Sequence, residues 1–523
     1  MDKKRLKNLI DISKHHFNEK NFSYVKQILN KVVEMDPNCL EANEILAQVY
    51  ENEGNYLISC QFLEKAISNR KATIKTFYRL GTFQLILKDF QAAKNTFLKA
   101  LEKFGESFEI LHDLGAASAS LGDNEQALSY FKKALLIKKD TPELFFNIGK
   151  IYDEAGSYHV AMAFYEKAIE IDPKFSIAYH NIGALLRDSH QYEKALLYFD
   201  EAIKVNPLDF DSICSKSTIY LLIGEFKKGW DTYEYRWKQM PLGCYRYPLI
   251  NTLSNLNNLN NKEVLVWYEQ GLGDTIQFSR YILDLNSLGA NVTFEVQESL
   301  ASLFQNNFNC KIQTSIQRYQ YFDYQIPLLS LPKLFGTNIN NILHSEPYLK
   351  ANFDDVGKWK RQLNLSNLKL NIAIAISGNP NHKNNQNRSI GIELFNQLGD
   401  IANIYILQKD SGSENIAHIS TKDHFFFLGD LVDDFRDSAA IIEAMDLVIS
   451  VDTSLIHLAG AMGKKAYLLL PYTPEWRWLL ERSDSPWYKT VKIFRQPKKG
   501  EWSSVMNDVR SELNTLVSFK SKN

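Results

Sequence analysis

The sequence predicts an α-helical solenoid followed by two parallel-sheet α/β domains that face each other across a cleft. Two observations predict this arrangement. Residues of the first half recur with a fixed 34-residue spacing, and from residue 263 onward apolar strand patterns alternate with helical ones. A chain of 523 residues is too long for one hydrophobic core, and its 45% hydrophobic and 23% charged residues are typical of folded domains.

Charge and composition exclude several classes of protein. Lys and Arg number 60 and Asp and Glu number 61, so the net charge of −1 lacks the basic surplus of a general nucleic-acid-binding protein. No apolar run approaches the ~20 residues of a membrane span, and the first residues lack a signal-peptide core. The five scattered cysteines include no CxxC pair, which argues against a disulfide framework or a zinc site and favours the reducing cytoplasm.

Several columns of residues carry the 34-residue spacing of the first half. The glycine column is Gly81, Gly115, Gly149 and Gly183. The alanine columns are Ala66, Ala100, Ala134, Ala168 and Ala202, and Ala93, Ala127, Ala161 and Ala195. The aromatic column is Phe97, Phe131, Tyr165, Phe199 and Tyr233. Apolar residues within a unit follow a helical spacing, so we expect helices in this half of the chain.

These columns resemble the tetratricopeptide repeat (TPR), in which each unit is a pair of helices, with small residues at their closest approach and a ring filling the space beside them. About seven units follow, over residues 6–39, 40–73, 74–107, 108–141, 142–175, 176–209 and 210–243, so the predicted TPR array covers residues 1–243. We expect a protein or peptide partner on the concave face, at side chains that the repeat does not require. Candidates there are Asn147, His180, Asn181 and Arg187. Asn147 and Asn181 either form a ladder along a peptide backbone or are ordinary solvated side chains.

Residues 244–262 form the predicted linker. The stretch INTLSNLNNLNNK is rich in Asn, has no charge before Lys262 and shows no clear periodicity. This composition is typical of a poorly structured connector.

The second half alternates strand and helix patterns in two sets. In residues 263–360, EVLVWYE and NVTFEVQ are strands, TIQFSRYILDLNSLG and the segment from Glu298 to about Asn307 are helices, and YFDYQIPLLSLPKLFG continues the sheet. In residues 361–523, the strands LNIAIAIS, NIYILQKD, DLVISVD and KAYLLLP alternate with helices from about Phe435 to Met445 and at TSLIHLAGAMG. Such crossovers predict parallel sheets with helices on both faces, and two facing sheets leave a cleft at their strand carboxyl ends.

Segments of the second half resemble bacterial TPR proteins with a heptosyltransferase-like domain of the glycosyltransferase family 9 type. They are VWYEQGLGDTIQFSRYI, ISGNPNHKNNQNRSI, LQKD, DLVISVDTSLIHLAGAMGK and LLLPYTPEWRWLLERSDSPWY. The organisation also resembles that of the O-linked N-acetylglucosamine transferases. The resemblance covers nearly the whole chain. It implies a GT-B fold of two Rossmann-like halves, a nucleotide-sugar donor held mainly by the C-terminal half, and inverting transfer.

The first candidate site follows the first strand. Gly271 and Gly273 allow a tight turn that leaves backbone N–H groups bare at a helix start, whereas a dinucleotide fingerprint would need a third glycine where Ile276 stands. Asp274 at this turn points into the cleft, and the resemblance implies that it is the general base that takes the proton of the acceptor. The alternative is that Asp274 caps the helix, and both roles are possible in turn.

The segment SGNPNHKNNQNRSI follows a buried strand of the second set. Gly378 permits close approach, and Lys383 and Arg388 supply cations that would stabilise the growing negative charge of a diphosphate leaving group. The alternative is a solvated basic loop. Gln408 and Lys409 end the next strand, at the edge where a ligand is expected, and we expect them to touch the base or ribose of the donor.

The segment VDTSLIHLAGAMG carries the strongest candidates for donor binding. Asp452 ends a buried strand, Thr453 or Ser454 caps the helix that follows, and His457 lies in its first turn. A helix N-terminus offers unpaired N–H groups and about half a positive charge, which suits a diphosphate. The resemblance implies that Thr453 and Ser454 bind the diphosphate and that Asp452 or His457 contacts sugar or phosphate. The alternative is a structural cap with a packed histidine.

Trp476, Arg477 and Trp478 either roof the donor pocket or pack against the wall between the two domains. No DxD motif follows an apolar strand, so we expect neither a metal ion nor a cofactor. The sequence therefore predicts a cytoplasmic inverting glycosyltransferase that moves a sugar from a nucleotide-sugar donor to a protein or peptide acceptor presented by the TPR array. The alternatives are a TPR scaffold with a catalytically weak second half and a transferase that acts on a surface glycan.

Overall fold

The structure, a computed structural model, describes residues 3–239, 246–317, 319–342, 347–363, 365–380, 384–408 and 423–520. The chain divides into two compact units, Met1–Leu185 with Lys204–Asn206, and Leu186–Ile203 with Pro207–Asn523. The predicted domain boundary at residue 243 falls inside the second unit. None of the described helices combines the length and the apolar character that crossing a bilayer needs.

Consecutive pairs of helices build the first half. They are α1 (Lys3–Asn18), α2 (Phe22–Met35), α3 (Leu40–Asn52), α4 (Tyr56–Ile67), α5 (Ile74–Ile86), α6 (Phe90–Phe104), α7 (Phe108–Ser120), α8 (Asn124–Ile137), α9 (Pro142–Glu154), α10 (Tyr158–Ile171), α11 (Ser176–Asp188), α12 (Tyr192–Val205), α13 (Phe210–Leu222) and α14 (Phe226–Tyr233). A short 3-10 segment, Glu234–Lys238, follows α14. Apart from the first residues of α1, each pair lies within one predicted unit, so the two-helix repeat is confirmed.

The glycine and aromatic columns meet inside the helix pairs. A Cβ on Gly149 would lie 2.7 Å from the Tyr165 ring, and a Cβ on Gly115 would collide with the ring of Phe131. Both rings are fully buried. Because protein interiors leave no room for such overlap, these positions require glycine, and the predicted role of the two columns is confirmed.

The first sheet of the second half has four parallel strands in the order β3-β2-β1-β4. The strands are β1 (Glu263–Trp267), β2 (Asn291–Glu295), β3 (Lys311–Gln313) and β4 (Tyr324–Pro327). The helices are α15 (Leu272–Phe278), α16 (Arg280–Ser287), α17 (Glu298–Gln305) and α18 (Leu331–Leu334). The predicted long helix after β1 is divided at Ser279 into α15 and α16.

The second sheet has six parallel strands in the order β10-β9-β8-β5-β6-β7. The strands are β5 (Leu370–Ala375), β6 (Ala402–Ile406), β7 (Phe425–Phe427), β8 (Leu447–Val451), β9 (Ala466–Leu470) and β10 (Val491–Arg495). The helices are α19 (Phe353–Leu363), α20 (Asn385–Arg388), α21 (Phe435–Ala444), α22 (Ser454–Ala461) and α23 (Trp502–Lys520). Two parallel sheets are confirmed.

The strand order reverses once in each sheet, between β1 and β4 and between β5 and β8. Connections on the two sides of such a reversal run to opposite faces of the sheet, which opens a crevice at the strand carboxyl ends. The segments after β1, β5 and β8 therefore lie where a doubly wound sheet binds its ligands. These are the segments that hold most of the predicted site residues.

The described part of the predicted linker is more ordered than its composition indicates. Thr252 forms a parallel bridge with Gln325 beside β4, and the Leu253 N–H donates to the Gln325 carbonyl at 2.9 Å. Leu253 and Leu259 are buried in the core of the first sheet. The leucines spaced among the asparagines explain the difference, because their burial holds the segment against the sheet.

Candidate functional site

Asp274 lies just beyond the carboxyl end of β1, in the first turn of α15. Its Oδ2 accepts a 2.7 Å hydrogen bond from the backbone N–H of Gly271, the N-cap residue of α15. Its Oδ1 accepts a hydrogen bond from the Arg477 guanidinium, which comes from the segment between β9 and β10. The carboxylate therefore caps its own helix and pairs with an arginine that belongs to the other sheet.

Arg477 joins three polar side chains of this region. Its Nη2 donates to Asp274, its Nη1 to Glu475, and its Nε to Gln277 Oε1 at 2.6 Å. The guanidinium lies 4.2 Å from the centre of the Trp476 ring, and the Arg477 side chain is buried. Trp476 is buried as well, so this segment packs in the interior and directs Arg477 toward Asp274.

The start of α22 has the predicted capped form. Thr453 is the N-cap residue, and its Oγ1 accepts a 3.3 Å hydrogen bond from the Leu455 N–H and lies 2.9 Å from Ser450 Oγ. Ser454 is the first helical residue. One N–H at the helix start is thus used by the cap, and the first turn keeps the partial positive charge that attracts anions.

His457 and Gly273 bring the starts of α15 and α22 into contact. A Cβ on Gly273 would lie 2.8 Å from His457 Cδ2 and 3.5 Å from Ser454 Cα, so only glycine allows this approach. His457 is buried, its Nδ1 lies 3.0 Å from the Tyr488 hydroxyl, and its Nε2 lies 3.8 Å from Asp452 Oδ1. The predicted clusters after β1 and β8, far apart in sequence, are neighbours in the structure.

Arg388 and Gly378 connect the segment after β5 to the end of β8. Arg388 Nη1 donates to the Asp452 carbonyl at 2.8 Å, and its guanidinium occupies the space where a Cβ of Gly378 would lie. The Gly378 N–H donates to Asn385 Oδ1 at 2.9 Å. The close approach predicted for Gly378 is made by Arg388 itself.

Gln408 lies just after β6 and bridges to the end of β5. Its Oε1 accepts hydrogen bonds from the backbone N–H groups of Ile376 and Ser377, at 3.3 and 3.1 Å. Its amide nitrogen donates to the Ser377 hydroxyl. Lys383 and Lys409 lie outside the described residues.

Burial sets the charge of the groups in this region. It raises the pKa of Asp452, while Arg477, Trp478 and Arg388 oppose the rise. It raises the pKa of Glu475 to about 7, against the attraction of Arg477. Burial, together with the nearby Arg477 and Arg280, lowers the pKa of His457 well below its ordinary value. His457 is therefore neutral at pH 7 and acts as a hydrogen-bonding group.

No role was predicted for Glu475 or Gln277, and Arg477 was predicted either to roof the donor pocket or to pack against the wall between the two domains. The sequence signal for this cluster was the segment PEWRW, in which two charged residues alternate with two tryptophans. The pairing of Arg477 with Asp274 could not be predicted, because the two residues are 203 positions apart and belong to different sheets.

A second buried ion pair lies beside the same loop. Arg236, from the 3-10 segment after α14, donates to Glu269 through Nε at 2.7 Å and through Nη2 at 2.9 Å. Tyr233 and Gln270 are joined at 3.0 Å. Glu269 and Gln270 immediately precede the Gly271 turn, so the end of the repeat array holds the loop that carries Asp274.

Potential metal ligands and cavities lie elsewhere. Among the described residues, the ligand atoms of His15 and His16 on α1 and of Glu19 just after it converge within 4.8 Å. Two open cavities of about 540 and 470 Å³ flank β4 and the segment that follows residue 249. None of the predicted site residues that the structure describes lines these two cavities.

The comparisons with known proteins support the helical repeats. Tetratricopeptide-repeat family models match residues 74–102, 106–174 and 164–196, so the chain contains tetratricopeptide repeats, as predicted. Protein FlbA of Caulobacter vibrioides is 27% identical over 332 residues, which cover 57% of this chain and 54% of FlbA. The chain thus spans about half the length of this curated relative.

Solved repeat proteins resemble part of the chain. YrrB, described as a TPR protein with an unusual peptide-binding site, is 22% identical at a TM-score of 0.29 and covers 36% of this chain and 97% of its own. MamA is 23% identical at a TM-score of 0.29, over 31% of this chain and 95% of its own. Pseudomonas aeruginosa pilF is 19% identical at a TM-score of 0.31, over 39% of this chain and 92% of its own.

Proposed function

We propose that the two sheets form a GT-B-type catalytic region and that the chain is an inverting glycosyltransferase. The observation that carries the proposal is the contact between the starts of α15 and α22 through Gly273 and His457. It places a carboxylate, Asp274, beside a helix N-terminus suited to a diphosphate. Inverting transfer needs this combination of one base and one stabilised leaving group.

The donor half of the proposed reaction uses the crevice between β5 and β8. The diphosphate of a nucleotide sugar binds at the start of α22, at Thr453 and Ser454, where N–H groups and the helix dipole meet negative charge. Arg388 is held beside this helix start by the Asp452 carbonyl and supplies a positive charge. As the sugar–phosphate bond breaks, its electrons pass to the departing nucleoside diphosphate, and these groups stabilise the growing charge. The predictions that Lys383 and Lys409 contact the donor are kept as part of this proposal.

The acceptor half of the proposed reaction uses Asp274. The acceptor hydroxyl attacks the anomeric carbon from the face opposite the leaving group, and Asp274 takes the proton that this oxygen loses. The ion pair with Arg477 holds one oxygen of the Asp274 carboxylate in place. The hydrogen bond from Gly271 fixes the second oxygen of the carboxylate, so capping and base catalysis are compatible roles.

In this proposal the acceptor is a protein or peptide held by the repeats. The tetratricopeptide-repeat matches support this class of partner. Asn147 Nδ2 lies 3.3 Å from His112 Nε2, and Asn181 is hydrogen-bonded to Tyr165. Both asparagines thus bond within the array, and a peptide ladder would require them to exchange these partners.

A TPR scaffold with a catalytically weak second half is the second candidate. One observation favours it: the polar groups of the site satisfy one another, since both Asp274 oxygens are engaged and Arg388 covers Gly378. An active enzyme must release some of these contacts when the donor enters. Ligand binding therefore separates the two candidates.

The deciding experiment is a melting-temperature screen of the full chain with UDP-, GDP-, ADP- and CMP-linked sugars, with the free sugars as controls. A donor at 100 times its dissociation constant should add about 2.7 kcal/mol to the free energy of unfolding. A shift with one nucleotide class, followed by transfer of its sugar to a protein, supports the glycosyltransferase. No shift with any nucleotide sugar supports the scaffold.

A further inference from the structure

We propose that Arg477 is the positioning residue of Asp274 and that Glu475 is a second carboxylate of the site, which competes with Asp274 for the same guanidinium. The inference rests on the proposed function for the role of Asp274 as base. It assigns a purpose to the segment PEWRW, which supplies both residues.

The geometry of Arg477 is that of a fixed fork. Three of its nitrogens donate to three different side chains, of Asp274, Glu475 and Gln277. Its guanidinium also lies 4.2 Å from the Trp476 ring centre and 5.6 Å from that of Phe278. Lysine offers a single charged nitrogen without this planar fork, so it cannot hold all three partners in the same arrangement.

One cation faces two carboxylates in this cluster. The other titratable or charged groups that face it are Tyr233 from α14, Arg388 from α20, Asp452 after β8, and, on the side of His457, Arg280 from α16. Burial raises the pKa of Glu475 to about 7, so its charge changes near neutral pH. The strength of the contact between Arg477 and Asp274 then changes with the charge of Glu475.

This competition predicts a direction for turnover. Below pH 7 Glu475 is neutral, so Asp274 is the stronger partner of Arg477, which then holds Oδ1 of Asp274 most firmly. Above pH 7 ionised Glu475 draws on Arg477, which leaves Oδ1 of Asp274 more available for the proton of the acceptor, and kcat rises. The rise should follow Glu475 and disappear in Glu475→Gln, which keeps an acceptor oxygen for Arg477 but never ionises.

The first test needs no donor. A carboxyl group whose pKa is raised on folding binds protons more tightly in the folded chain, so its contribution to stability is present below its unfolded pKa and is lost as pH rises to its folded pKa. Wild type should therefore lose about 2–5 °C of melting temperature relative to Glu475→Gln between pH 4.5 and 7, with no further change above. The exposed Glu481→Gln in the same segment is the control and should track wild type. Parallel curves for wild type and Glu475→Gln would overturn the inference.

The second test uses the nucleotide sugar that gives the largest melting shift and follows release of nucleoside diphosphate. Arg477→Lys should lower kcat about 10²-fold with the donor KM nearly unchanged, whereas the control Arg482→Lys should not. Wild type should show the rise of kcat near pH 7 and Glu475→Gln should lack it. Normal kcat in Arg477→Lys, or an unchanged pH profile in Glu475→Gln, would overturn the inference.

If Arg477→Lys does not fold, the Glu475→Gln profile decides. If no nucleotide sugar binds, the proposed function fails, and the melting comparison alone decides whether the two carboxylates compete.

Discussion

Asp274 combines two contacts, with one oxygen on the backbone of its own helix start and the other on an arginine from the opposite sheet. The first contact caps the helix, and the second orients the carboxylate that we propose as the general base. A helix cap needs only an acceptor oxygen, whereas a general base needs a group that takes up a proton. The two roles separate when the charge is removed and the shape is kept.

Asp274→Asn should lower kcat by about 10²–10⁴-fold with saturating donor, because an amide does not accept the proton of the acceptor. The amide oxygen still caps α15, and Glu475 and Gln277 still accept hydrogen bonds from Arg477, so the melting temperature should fall by only a few degrees. The measurement is kcat beside a melting curve. Asp123→Asn, at the start of α8, is the matched cap without a catalytic role. Normal kcat in Asp274→Asn would remove it as the base and direct attention to Asp452 or His457.

Arg388→Ala should weaken donor binding by about tenfold or more, because a charge-assisted hydrogen bond to phosphate contributes roughly 1.5–3 kcal/mol. Its side chain is only half-buried, so the folded state should persist. The donor dissociation constant from calorimetry checks this, with Arg510→Ala on α23 as the control. Equal affinity in wild type and Arg388→Ala would show that Arg388 does not contact the donor.

The local structure around several predicted site residues could be predicted from the sequence, whereas their chemical roles stay predictions. Gly271, Gly273 and Asp274 stand in one turn, and the turn and the strand before it are readable from the sequence. The same holds for Thr453 at the start of α22. The contacts of Arg477 with Asp274 and Gln277 were not predicted, because these two partners lie on the helix after β1, in the other sheet. A sequence pattern carries no information about such contacts.

The elements of the chain were predictable in proportion to their length and burial. Every residue of β5, β8 and β9 is buried, and such continuous apolar runs are typical of central parallel strands. β3 and β7 have three residues each, and β10 alternates buried and half-buried positions, so none of them produced a clear signal. The repeat helices were the most predictable, because the same pattern occurs many times.

Gly149→Ala should destabilise the first unit by about 1–3 kcal/mol, since its Cβ would lie 2.7 Å from the Tyr165 ring. Gly357→Ala on α19 is the matched control, because its Cβ meets only the end of Arg361 at 3.6 Å. That change should be neutral or stabilising by up to about 1 kcal/mol. Urea melts of the two variants give the comparison. Equal stabilities would contradict the packing role of the glycine column.

At the scale of the whole molecule, the repeats and the sheets do not separate where the sequence pattern changes. α13, α14 and the 3-10 segment belong to the compact unit of the sheets. Trp230 of α14 donates to the Thr337 carbonyl at 2.9 Å, and Arg236 pairs with Glu269 at the end of β1. The repeat period stops at residue 243, but the structural unit begins before it.

A truncated protein that begins at residue 244 should be much less stable than one that begins at residue 207. Loss of Arg236 leaves Glu269 buried without its partner, which costs about 3–5 kcal/mol. The longer protein keeps the pair and should retain the donor-induced melting shift of the full chain. Melting curves of both, with and without donor, test this. Equal stability of the two would show that α13 and α14 are dispensable to the sheets.

The contact between Asp274 and Arg477 also has a consequence for the order in which a new chain matures. The two residues are separated by 203 positions, so a ribosome that adds 5–20 residues per second needs about 10–40 s to travel from one to the other. During that interval the repeats can fold, because each helix pair contacts mainly its neighbours. The cluster around Asp274 must wait for the last sixth of the chain. A nascent chain therefore completes its repeats before the cluster around Asp274 can form.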